Sequence, residues 1–97
     1  MGTRPADPRC YLAEWYRPEV TRRRVDDIAD ELEAAAAAVA GEGVPVRLLV
    51  AVAAPTDEVL YGVFAADSPE IVIRTCQHAG IPAERLTADI TARLAHQ

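Results

Sequence analysis

Residues 59–94 constrain this chain more than any other stretch, because an apolar run, a helix start, a helix stop and an alternating run follow one another with little between them. Residues 59–64 (Val-Leu-Tyr-Gly-Val-Phe) are mostly β-branched or aromatic and are apolar at both parities, the pattern of a strand covered on both faces. Asp67-Ser68-Pro69-Glu70 offers two ways to open a helix. Either Ser68 is the N-cap with Pro69 in the first helical position, or Asp67 is the N-cap with Glu70 completing a capping box. Ile71, Val72, Thr75, Cys76 and Ala79 form the stripe that this helix would bury. Gly80, able to take a left-handed backbone, stops it before Ile81-Pro82. Leu86, Ala88, Ile90, Ala92 and Leu94 then alternate with Thr87, Asp89, Thr91 and Arg93, which predicts an edge strand with one buried and one wet face.

The first half repeats the plan. Residues 1–9 carry Pro5 and Pro8 and little apolar surface, so they are expected to be a flexible lead-in to a single domain over residues 10–97. Residues 10–16 predict a strand whose two parities, Tyr11/Ala13/Trp15 and Cys10/Leu12/Glu14/Tyr16, both carry bulky groups, so it too should be central. Glu14 is the one misfit. Pro18 should end the strand, and Thr21 is a good N-cap, with Val20 and Val25 spaced for a hydrophobic staple. Val25, Ile28, Ala29, Leu32, Ala35, Ala36 and Val39 make the helix stripe, with Gly41 or Gly43 as the stop. Arg22, Arg23 and Arg24 open that helix as a solvated charged face or, more sharply, as an anion-binding patch. A second strand is predicted over residues 46–53 with Val46, Leu48, Val50 and Val52 on one face, joined by a short loop at 55–58 to residue 59. The order β-α-β-β-α-β is the ferredoxin-like split β-α-β plan: an α+β fold with a four-stranded antiparallel sheet, both helices on one face and the strands at 10–16 and 59–64 central.

A net charge of -5 and a pI near 4.9 exclude nucleic acid and anionic membrane as principal partners, since both require a basic footprint. The longest apolar run, residues 48–55, is too short to span a bilayer, so the chain is expected to be soluble and cytoplasmic. All ten basic residues other than histidine are Arg, which together with abundant Ala suggests high-GC coding and a bacterial source. In a reducing cytoplasm Cys10 and Cys76 are expected to be free thiols.

Chemistry-bearing residues are few. Tyr11 and Trp15, with Tyr61, could line a small-ligand pocket on the sheet face that the helices leave uncovered, or could be core or interface residues. Glu14 beside such rings is the candidate catalytic group, a general base if desolvated and otherwise an exposed or Arg-paired carboxylate. Cys76 lies on a helix stripe with no cation on its own face to hold a thiolate. Gly41-Glu42-Gly43 follows a helix rather than opening one, so it is no dinucleotide fingerprint.

Tyr-Leu-Ala-Glu-Trp-Tyr-Arg-Pro (11–18), Val-Pro-Val-Arg-Leu-Leu (44–49), Tyr-Gly-Val-Phe-Ala-Ala-Asp-Ser-Pro-Glu (61–70) and Ala-Gly-Ile-Pro-Ala-Glu-Arg-Leu (79–86) resemble a family of small ferredoxin-like bacterial proteins, mostly of unknown function, some of them described as nickel-binding. The resemblance implies the fold and raises nickel as a cofactor. The family's histidine positions correspond to Trp15 or Tyr16, Cys76 and Ile81, so only Cys76 is a candidate metal ligand, and His78, two residues on, points away from it. No cofactor and no tight nickel site are therefore expected.

If both central strands are apolar on both parities while the helices cover one face, something must cover the other. Tyr11, Ala13 and Trp15 are expected there, with either Val59, Tyr61 and Val63 or Leu60, Gly62 and Phe64 on the next strand, and a second copy of the chain is the simplest cover. The leading expectation is a homodimeric binding protein whose sheet-face cleft, holding Tyr11, Glu14, Trp15 and Tyr61, takes a small molecule or a metal. A cofactor-independent cyclase, isomerase or monooxygenase would use the same cleft with an ionisable group in it, whereas an accessory interaction module would present a closed apolar interface.

Overall fold

The computed structural model describes residues 9–91 and residue 93. Four strands, β1 (Arg9–Trp15), β2 (Val46–Ala54), β3 (Val59–Ala66) and β4 (Arg85–Ile90), form one antiparallel sheet in the order β2-β3-β1-β4. The helices are α1 (Pro18–Thr21), α2 (Val25–Ala40) and α3 (Pro69–His78). This is the α+β ferredoxin-like arrangement expected from the element order, with β1 and β3 central and β4 at an edge.

The core lies between the sheet and the helices. Tyr11, Ala13 and Trp15 from β1 and Leu60, Phe64 and Ala66 from β3 are buried in one cluster with Val20, Ile28, Leu32, Ala36 and Val39 from the first two helices and Val72 and Cys76 from α3. Each fully buried large side chain contributes roughly 1.5–3 kcal/mol by leaving water. This corrects the expected facing of β1. Tyr11, Ala13 and Trp15 point at the helices, and Cys10, Leu12 and Glu14 lie on the open face. A carboxylate buried under helices without partners would cost several kcal/mol, which settles a strand whose two parities are otherwise alike.

Two bulges also change what the alternation predicted. In β2 the register to β3 shifts between Leu48 and Val50, so Val46 and Leu48 pair with Ala66 and Phe64 on the helix side. Beyond the extra residue Val50 and Val52 pair with Val63 and Tyr61 on the open side. The four do not share a face as expected. In β4 the register to β1 shifts between Thr87, opposite Leu12, and Ile90, opposite Cys10, with Asp89 in a left-handed conformation (φ 58°). Leu86 faces the core while Ile90 falls on the open side, and the strand stops at Ile90 instead of running to residue 94. Ala92 and Leu94 lie outside the described residues, as does the expected lead-in except Arg9, which opens β1.

Pro18 does not simply end β1. Its fixed φ suits a first helical position, and it starts the four-residue α1, after which α2 opens at Val25 with Arg24 as an extended N-cap. Thr21 is therefore the last residue of α1 and not the N-cap of the long helix. Of the two possible starts for α3, Ser68 is the N-cap and Pro69 the first helical residue. Gly80 (φ 77°) ends α3 as expected, and the Ile81 amide reaches back to the Cys76 carbonyl at 3.1 Å. A β-carbon at Gly80 would meet nothing within 4 Å, so Gly80→Ala isolates the backbone penalty. It should cost about 1–2 kcal/mol in urea unfolding with an unchanged native spectrum.

Candidate functional site

The open face of the sheet collects the chemistry-bearing side chains. Register places Glu14 opposite Tyr61 on one side and Arg85 on the other, with Leu12 opposite Val63 and Thr87. Val50 and Val52 flank Val63 and Tyr61, and Ile90 sits beside Cys10. Val52 is 48% exposed, while Leu12, Tyr61 and Val63 are half-buried. All three helices contribute their buried residues to the opposite side of the sheet.

Glu14 is the polar centre of this surface. Its side chain is 12% exposed, one oxygen accepts the Tyr16 hydroxyl, and the other lies 3.7 Å from Arg85 Nε. The Tyr16 phenol is held above its ordinary pKa first by that hydrogen bond to Glu14 and then by desolvation, with Arg85 opposing. The next carboxylate, Glu84, caps the end of β1: one oxygen accepts the backbone N–H groups of Tyr16 and Arg17. Glu14, Tyr16, Arg85 and Tyr61 thus place an acceptor, two phenols and a cation at one end of an apolar surface, a group that could orient a ligand or move a proton.

Of the four residues expected to share a cleft, the structure brings together Glu14 and Tyr61 and separates Tyr11 and Trp15, which lie on the far side of the sheet. The Trp15 indole N–H donates to the Ile81 carbonyl at 2.7 Å, a buried bond that ties β1 to the segment after α3. Sequence reasoning passed over Tyr16, Arg85 and Leu12 as site residues and offered Val63 as one of two alternatives for the uncovered face. Tyr16 and Leu12 share the parity of Glu14, which was a readable signal, but the Arg85 partnership depends on strand register and had none.

Cys76 is fully buried, and burial pushes its thiol up to about 12, against a small opposing effect from the Ala83 backbone. Nickel, raised by the family resemblance, finds no matching donors at the three corresponding positions. At the first position, Trp15 or Tyr16, the indole N–H already donates to Ile81 and the phenol to Glu14; the Cys76 thiol is held protonated, and Ile81 is aliphatic. Among the described residues no group of three or more His, Cys, Asp or Glu side chains is placed to hold a metal ion. His78 is exposed at the end of α3, beside Glu31, Ala34 and Ala35.

The Cys76 shift has a consequence for stability. The folded thiol keeps its proton to about 12 whereas the unfolded one releases it near 9, so this contribution is complete below pH 9 and is lost as pH rises towards 12. Urea midpoints measured from pH 8 to 10.5 should fall more steeply for the wild type than for Cys76→Ala. Parallel slopes would count against it.

No helix of the described residues is long and apolar enough to cross a membrane. No family model matches the chain, and no curated protein matches it by sequence. Among solved structures the chain resembles SCO4226 from Streptomyces coelicolor A3(2), with a TM-score of 0.65 and 20% identity over 88% of this chain and 99% of that one. At that identity the likeness is one of fold, a ferredoxin-like α+β sheet-and-helix domain.

Proposed function

We propose that this chain is a homodimeric small-molecule-binding protein in which two copies meet across the open faces of their sheets and enclose a cleft. The observation that carries this reading is the open face itself. Leu12, Val50, Val52, Tyr61, Val63 and Ile90 make a contiguous apolar surface on the side of the sheet away from all three helices. Soluble monomers rarely leave so continuous an apolar surface to water. A two-fold axis presents the patch to itself, so a second copy covers it without any new complementary surface. Glu14, Tyr16, Tyr61 and Arg85 would form the polar end of the enclosed space, the mixture of apolar walls and a few oriented polar groups that small-ligand sites have.

The test is light scattering on tag-free protein. Wild type is expected at twice the 10.5 kDa chain mass. Val63→Asp, which puts a charge in the centre of the patch while leaving the helix side untouched, is expected at the single-chain mass with unchanged circular dichroism. A wild-type monomer at high micromolar concentration would refute the dimer. Native mass spectrometry of the same sample reads any ligand carried through purification.

A further inference from the structure

The strand registers set two rows of side chains across the open face: Val52, Tyr61, Glu14 and Arg85, and beside them Val50, Val63, Leu12 and Thr87. At the β4 end of the first row Glu14 Oε2 and Arg85 Nε stand 3.7 Å apart, neighbours that are not hydrogen-bonded to each other. The other Glu14 oxygen already accepts the Tyr16 hydroxyl, and Arg85 also faces that phenol. The Arg85 side chain is 68% exposed, which leaves its outer donors open, and Glu14 keeps 12% of its side chain exposed beside it. Glu84, next along β1, adds no unanswered charge: one oxygen is taken by the Tyr16 and Arg17 amides and the other lies 3.8 Å from Arg17 Nε. The row thus ends in an acceptor and a donor side by side, with no net charge between them.

That pairing selects against ions of either sign. A carboxylate on Arg85 would meet the like charge of Glu14, and an ammonium on Glu14 would meet the like charge of Arg85. A neutral head group carrying its own acceptor beside its own donor meets neither. We propose that this end of the open face binds the edge of a neutral primary amide or lactam, its carbonyl oxygen accepting from Arg85 and its N–H donating to Glu14. The gap between the two side chains is too wide for a direct bond and fits a planar group bonded to both, and each of those bonds is strengthened by the charge on the protein side. The ring or chain that bears the amide lies over Tyr61, Leu12 and Val63, which are half-buried and so keep surface for it, with the Tyr61 ring suited to stacking. The inference rests on the dimeric cleft proposed above for its enclosing wall and adds the class of ligand.

The experiment is an amide chemical-shift titration of the full 15N-labelled chain at pH 7 with benzamide, benzoate and benzylamine, which share a ring and differ in the charge of the head group. Benzamide is expected to give saturable shifts at residues 12–16, 61–63 and 85–87 and to bind about three- to tenfold tighter than either ion, the range of a partly exposed charged hydrogen bond. Glu14→Gln should turn the preference to benzoate, and Arg85→Met, at an exposed position, should turn it to benzylamine. A merely structural role for either residue would leave the order of the three ligands unchanged. The proposal is overturned if either ion binds the wild type as tightly as benzamide, if both variants keep the wild-type order, or if these residues do not shift. Light scattering on the same samples separates this from the association itself: a dimer without shifts refutes the amide site and leaves the dimer, and a monomer with shifts at these residues does the reverse.

Discussion

Trp15→Ala is expected to lower the unfolding free energy by about 3–5 kcal/mol, the range for emptying a large buried aromatic site. Trp15 is fully buried at the end of β1, and its ring lies over Gly62 of the neighbouring strand. Its loss also leaves the Ile81 carbonyl, in a nearly buried residue, without the indole donor. Domains of this size are typically stable by about 5–15 kcal/mol, so the variant would stand close to the folding threshold. Trp15→Phe separates the two effects: most of the ring volume remains and the hydrogen bond is gone, for an expected cost of about 1–3 kcal/mol. Urea unfolding followed by far-ultraviolet circular dichroism reads both without depending on the indole. A loss below about 1.5 kcal/mol for Trp15→Ala would show that the site collapses around the missing ring or that the ring is not core. The same placement means that a charge at position 15 would break the core itself, beyond any effect on the association of one chain with another.

Gly62→Val is expected to destabilise by about 1–3 kcal/mol through overpacking, with the cost concentrated on one neighbour. A β-carbon at Gly62 would come within 3.2 Å of the Trp15 ring and 3.3 Å of the Phe64 ring, tighter than ordinary carbon contact, and valine adds two more carbons beyond it. Residues in direct contact do not add. Trp15→Leu should therefore recover some of the Gly62→Val loss, and the double variant should be more stable than the two single losses summed predict. Strict additivity, measured by the same urea titrations, would show that the added side chain finds space elsewhere.

The element order was legible because each element carries its own punctuation: Pro69 at a helix start, Gly80 at a helix stop, and both-parity apolar runs in the two strands that prove central. The direction in which β1 faces was not. Tyr11, Ala13 and Trp15 fill a core as readily as Cys10, Leu12 and Tyr16 cover a sheet, and only the cost of burying Glu14 discriminates. Treating the aromatics as the informative group and the acid as the misfit inverted the reading. The candidate site was half legible for that reason, with Glu14 and Tyr61 together and Tyr11 and Trp15 removed to the other side. The bulges were not legible at all, since an extra residue shows only against its partner strand, and alternation read along one strand alone continues through it.

The bulge in β2 gives this protein an unusual kind of mutational lever. Upstream of it Val46 and Leu48 belong to the helix side, and downstream Val50 and Val52 belong to the open side, while Ala51 and Ala53 take the inward places opposite Gly62 and Leu60. Were the strand to pair regularly with all its residues kept, the valines would turn inward against Gly62 and Leu60 and the alanines outward; the bulge at residue 49 holds them as they are. The width and greasiness of the open face thus hang on whether the ladder bulges at a single point as well as on side-chain identity. A chain one residue shorter at that point would keep Val50 and Val52 on the open face in a regular ladder, whereas one of the same length that paired without the bulge would offer alanines there to whatever it binds.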